Sequence, residues 1–229
     1  MSEKRNSNIE LLRIIAMILI ILHHYAVVGM SNADILLTNH INSYMIDIAS
    51  LGGKVGTVIF VLIGSYYMSD GNMNGKKIYS ILIEVWFYSI LLGGFYFILS
   101  QGITIKNIFA MVFPVISYQY WFVTCYILLM FVSPFLNSGI NNLSKDLLKY
   151  IIIVGILIWV ILPTIGIELI FNSYIYFVLL YLIAAYTRKY IDLSNYKKHF
   201  VFGITYYMMI IFSAIGLRCV WGGGVAMHY

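Results

Sequence analysis

Charge is the scarcest ingredient of this sequence. Only 10% of its 229 residues are Asp, Glu, Lys or Arg, where a soluble domain carries about 25%. So few charges do not suffice to coat a water-soluble globule of this length. Acids are scarcer than bases, 9 against 14, which leaves a formal net charge of +5. The bases stand in short clusters between apolar runs, a pattern that speaks for membrane topology and against a nucleic-acid partner. Cysteine is nearly absent. Cys125 and Cys219 each sit in an apolar run without metal-ligand spacing. Both read as small buried hydrophobes, and no metal site is expected. A cleavable signal peptide is also lacking. The first apolar run, Ile9 to about Gly29, ends in His23, His24 and Tyr25 rather than in small residues, so it is expected to remain as a membrane helix.

What is present is hydrophobicity. Apolar residues make up 62% of the chain, and the mean hydropathy is +0.90. A membrane helix takes roughly 20 predominantly apolar residues. The expected fold is therefore an all-α, polytopic transmembrane helix bundle of about seven or eight spans in the cell membrane. The apolar runs place seven spans at 9–29, 46–69, 78–99, 120–137, 148–165, 172–187 and 200–219. The segment 107–118 is apolar but short and contains Pro114. It is expected to be a re-entrant or interfacial helix, with an eighth span as the alternative. On this arrangement Lys4, Arg5, Lys76, Lys77, Lys145, Lys149, Arg188, Lys189, Lys197 and Lys198 fall on one side, and only Lys106 and Arg218 on the other. Basic residues concentrate on the cytoplasmic side of membrane proteins, which puts the N-terminus in the cytoplasm and the C-terminus outside. Ser7-Asn8-Ile9-Glu10 fits a capping box at the start of the first span. Twenty tyrosines and four tryptophans suit interfacial anchoring.

An ionisable residue at membrane depth is costly to keep and so points to function. The first span carries the best case. Arg13 lies about one turn inside its cytoplasmic edge, and His24 follows eleven residues later. Eleven residues are about three helical turns, so the two share a face, about 16 Å apart along the axis. Glu10 lies close to the same stripe, one turn before Arg13. His23 is rotated off it by about 100° and is the weaker candidate. Plainer roles exist for each: an interfacial anchor for Arg13, a packing histidine for His24, a cap for Glu10. The shared face of Arg13 and His24 favours a site. Lys54 and Glu84 also fall within spans and are weaker candidates.

The same helix carries a family resemblance. Glu10-Leu-Leu-Arg13, then ten residues, then His24 resembles the first helix of the acyltransferase family 3 membrane O-acyltransferases. Gly56-Thr57-Val58-Ile59-Phe60-Val61-Leu62-Ile63-Gly64 is similar to that family's second helix, with Ile63-Gly64 in place of a serine-glycine pair. Tyr120-Trp121-Phe122-Val123-Thr124-Cys125-Tyr126, running to Ser133-Pro134-Phe135-Leu136-Asn137, resembles the tryptophan-aromatic helix of polysaccharide acyltransferases. The resemblance implies a single membrane acyltransferase-3-like domain over 1–229. It implies acyl-CoA, most simply acetyl-CoA, as a cytoplasmic donor, and a hydroxyl of an extracytoplasmic polysaccharide or other glycan as acceptor. It makes His24 and Arg13 the catalytic pair, with Arg13, Lys76 and Lys77 binding the donor and Trp121 lining the acceptor side. Lys76 and Lys77 stand where the family has an arginine pair, and lysine lacks the planar fork that grips phosphate from two sides. The family's domain also runs longer, so the chain, ending in Trp221 to Tyr229, is expected to be incomplete at its C-terminus. A polysaccharide exporter or an inactive fragment is the alternative.

Overall fold

The computed structural model describes residues 7–29, 40–71, 75–99, 104–164 and 173–191. Within them every regular element is helical: α1 (Ser7–His24, continued by a π-helical turn, Tyr25–Gly29), α2 (His40–Met68), α3 (Gly75–Leu99), α4 (Ile105–Val112), α5 (Trp121–Asn142), α6 (Lys145–Ile156) and α7 (Ser173–Tyr190). After α6 the chain passes through a π-helical turn, Leu157–Ile161, into Leu162–Thr164. Four stretches are long and apolar enough to cross a membrane: Ser7–Gly29, Ile48–Met68, Gly75–Leu99 and Trp121–Asn142. They correspond to the first four expected spans. The runs at 148–165 and 172–187 are helical over their described residues, and 200–219 lies outside the described residues.

The segment expected at 107–118 resolves into two parts. Helix α4 covers eight residues, about 12 Å of rise, far short of a hydrocarbon core of about 30 Å. A compact turn around Pro114 then leads into α5. Lipid offers no hydrogen bonds to stray backbone groups, and the last carbonyls of a helix lack partners within it. Helix α3 supplies them here: Trp86 Nε1 donates to Val112 O at 3.1 Å, and Ser89 Oγ donates to Met111 O at 2.9 Å.

Prolines are accommodated by the same accounting. Pro134 lies inside α5 and cannot donate to the carbonyl of Met130 four residues earlier. The hydroxyl of the preceding residue, Ser133, takes that carbonyl at 2.8 Å in a buried bond. Pro163 follows the π-helical turn, a wider winding that often accompanies an interrupted helical ladder.

The chain divides into two compact units, Met1–Ile63 with Ile191–Tyr229, and Gly64–Tyr190. In the first, α1 lies against α2. In the second, α5 packs on α7, α6 on α7 and α3 on α4. Buried Ile78, Ile127 and Met130 form a core there, flanked by Met68, Leu82, Val123 and Tyr126.

Candidate active site

Helix α1 meets α2 along Ala16, Leu19, Ile20 and His23, a stripe at helical spacing. Opposite stand Gly52, Gly53 and Gly56. A Cβ on Gly56 would come within 2.6 Å of Ala16 O, and one on Gly53 would run into the His23 ring. The glycines therefore let the two backbones approach closely, as small residues do between membrane helices.

His23 is part of this seam. Its Nδ1 lies 2.6 Å from Ser50 O. A carbonyl only accepts, so Nδ1 carries the proton, and the tautomer is set by that bond. His24 is exposed, and its ring meets that of His23 edge to face at 5.6 Å between centroids. Helix α1 stays α-helical through His24, so the 100° steps that align Arg13 with His24 apply along the whole interval. Arg13 is half-buried. Its Nη1 donates to Glu10 Oε1 at 3.2 Å, with 36% and 43% of the two side chains exposed. Glu10 thus points forward along the helix to Arg13. The structure joins Arg13 to Glu10 and His23 to Ser50. It leaves Arg13 and His24 on one stripe of one helix, three turns apart.

The other expected site residues belong to the second unit. Lys76 and Lys77 open α3 and are exposed. The start of a helix favours anions through its dipole. Trp121 is the first residue of α5, 42% exposed, with its ring edge-on to Phe177 at 6.1 Å.

A polar cavity of about 340 Å³ escaped the sequence reading; Asp70, Asn137, Asn141, Arg188 and Lys189 help to line it. Its cations are engaged. Arg188 pairs with Asp70, donates to Tyr66 O at 2.8 Å and lies 4.8 Å from the Tyr66 ring centroid. Lys189 Nζ donates to Ile140 O at 3.5 Å. Asn137 Nδ2 donates to Met68 O at 3.1 Å, and its Oδ1 accepts from Tyr181 at 2.7 Å. These groups cap the carbonyl ends of α2 and α5, where cations are favoured. Their arrangement is that of a helix junction rather than of a polyanion site.

A family model described as an acyltransferase domain matches residues 6–229. The chain belongs to acyltransferase family 3. No curated protein matches it, and no solved structure does. Family membership gives the chain an acyltransferase role, an acyl donor and a membrane setting. Among the described residues, no three His, Cys, Asp or Glu side chains converge as metal ligands would. His23, which the helical step turns off the Arg13–His24 stripe, is the residue at the seam, a packing role that the sequence analysis did not give it. The signal was present on α2, where Gly52 and Gly56 stand four residues apart, the small-residue spacing that marks a close helix contact.

Proposed function

We propose that this chain transfers an acyl group, acetyl in the simplest case, from cytoplasmic acyl-CoA to a hydroxyl of an extracytoplasmic glycan. The observation that carries the reading is the stripe of Arg13 and His24 on α1, in a chain that belongs to an acyltransferase family. In this reading the N-terminus is cytoplasmic, the bundle has seven or eight spans, and the match across both units supports one acyltransferase domain. Arg13 on α1 and, in the other unit, Lys76 and Lys77 at the start of α3 are each basic groups suited to the phosphates of the donor. His24 lies about 16 Å further along α1, toward the outer leaflet. Its exposure leaves the imidazole within reach of a substrate.

The chemistry at His24 takes one of two routes. As a general base, the imidazole accepts the proton of the acceptor hydroxyl while that oxygen attacks the thioester carbonyl. The carbon–sulfur bond breaks, and the proton passes to the departing thiolate. As a nucleophile, the imidazole nitrogen attacks the thioester carbonyl and takes the acyl group as the carbon–sulfur bond breaks and the CoA thiolate leaves; the glycan oxygen then displaces the imidazole, and the hydroxyl proton passes to the freed nitrogen. Either route requires His24.

His24→Ala is therefore expected to abolish ester formation while leaving membrane insertion intact. The readout is ester content of the surface polysaccharide by mass spectrometry, in a host without its own acyltransferase. Undiminished esterification by His24→Ala would defeat this assignment. Native protein that exports glycan but forms no ester would favour the exporter.

A further inference from the structure

The apolar runs at 46–69, 120–137 and 172–187 end beside Asp70, Asn137 and Arg188. The fold brings those three ends together. Asp70, Asn137, Asn141, Arg188 and Lys189 help to line one cavity of about 340 Å³, a volume that admits a small molecule or a headgroup. All of it belongs to one compact unit, Gly64–Tyr190. An apolar run ends where the hydrocarbon of the bilayer ends, so the cavity lies at the level of the phospholipid headgroups.

The lining carries both signs of charge with bonding capacity to spare. A carboxylate has two acceptor oxygens. Asp70 gives Oδ2 to Arg188, and its side chain is still 66% exposed. The carbonyl end of α2 at Met68 adds negative potential beside it, which favours a cation there. An ammonium has three N–H groups. Lys189 spends one on Ile140 O, at 3.5 Å, and the exposed Asn141 amide carries two further N–H donors. Lys145 and Lys189 both stand by the Tyr190 ring, their Nζ atoms 5.4 and 5.5 Å from its centroid. An anion at Lys189 lowers the repulsion within that pair. Arg188 is neutralised by Asp70. A dense polyanion therefore meets too little positive charge, whereas one phosphodiester and one ammonium each meet a partner.

We propose that this cavity holds the headgroup of an aminophospholipid, phosphatidylethanolamine in its simplest form, with the ammonium at Asp70 and the phosphodiester at Lys189 and Asn141. The bound lipid joins the ends of α2, α5 and α7, beside the bonds that Asn137 makes to Met68 O and Arg188 to Tyr66 O. The site is independent of the acyl-transfer reading and stands or falls without it.

The test uses the full chain, purified and delipidated in detergent. The probes are phosphatidylethanolamine, phosphatidylcholine and phosphatidylglycerol with the same acyl chains, titrated and followed by native mass spectrometry. Phosphatidylethanolamine is expected to bind at least several-fold tighter than the other two. Choline offers Asp70 no N–H, and the glycerol headgroup offers it no cation. Lys189→Gln should weaken that binding several-fold. So should Asn141→Asp, which sets a carboxylate against the phosphate and leaves the bonds of Asn137 and Arg188 in place. Asp70→Asn should abolish the preference over phosphatidylcholine. If that variant fails to fold for want of its Arg188 pair, Asn141→Asp and the lipid series decide the question. Equal affinity for the three lipids would overturn the proposal. Tighter binding of phosphatidylglycerol would also overturn it, in favour of a site for anionic lipid. Unchanged binding in both Lys189→Gln and Asn141→Asp would put the lipid elsewhere on the protein. Inorganic phosphate at millimolar concentration should not displace the lipid, and displacement would make the cavity a site for free anions.

Discussion

At the scale of single residues, two adjacent histidines have opposite surroundings, and their variants should differ in kind. His23 is held by Ser50 O and sits in the notch left by Gly53. His23→Ala removes a hydrogen bond and its packing, a loss of about 1–3 kcal/mol of stability. His23→Asn keeps an N–H donor and should recover part of it. Gly53→Ala drives a methyl into the ring and should cost about 1–3 kcal/mol. Thermal midpoints in detergent measure all three. His24→Ala should leave that midpoint unchanged while abolishing activity. A second contrast concerns Arg13, whose guanidinium is shared with Glu10. If Arg13 holds a donor phosphate, Glu10→Gln should tighten acetyl-CoA binding by about two- to fivefold, the scale of a partly exposed ion pair. Arg13→Lys should weaken it, since the planar fork is lost. Isothermal titration of purified protein decides both, and unchanged affinity in Arg13→Ala would make the residue a membrane anchor.

At the scale of the element, α5 offers a test of backbone accounting in an apolar setting. Ser133 supplies the donor that Pro134 lacks, to Met130 O. Ser133→Ala leaves that buried carbonyl without the bond and should destabilise the protein by about 1–3 kcal/mol. Pro134→Ala restores a backbone N–H to the same carbonyl, so the double variant should be more stable than Ser133→Ala alone. Reversible unfolding in mixed micelles reads the coupling. Simple additivity of two losses would show that Ser133 acts through another contact. The apolar run ends at 137, but the helix runs on to Asn142. Apolar content ends where lipid ends, whereas a helix continues until something stops its hydrogen-bond ladder. Residues 138–142 are helical without being lipid-like, so hydropathy did not reach them. Helix α4 was equally hard to bound. A short apolar run does not reveal where a chain turns, and the turn at Tyr118 lacks the glycine that normally announces one.

At the scale of the whole molecule, the orientation is the quantity most open to direct measurement. On the positive-inside asymmetry, position 39 ahead of α2 is expected outside and position 74 ahead of α3 in the cytoplasm. In a background carrying Cys125→Ala and Cys219→Ala, a membrane-impermeant thiol reagent added from outside should label Asn39→Cys and leave Asn74→Cys untouched. The reverse pattern would invert the bundle and remove the donor side from Arg13, Lys76 and Lys77.

The sequence by itself determined the solvent of this protein, its all-helical class, its family and the alignment of Arg13 with His24. The family rests on a resemblance of motifs; the others follow from composition, from the length of apolar runs and from the constant angular step of a helix, which are local quantities. Tertiary structure alone decided that His23 faces Ser50, that Arg188 caps the end of α2 against Asp70, and that Tyr118 adopts a left-handed turn. The positions of partners such as Ser50 and Tyr66 far along the chain are set by packing. A residue's own spacing on its helix says which way it points, but not what another helix will bring there.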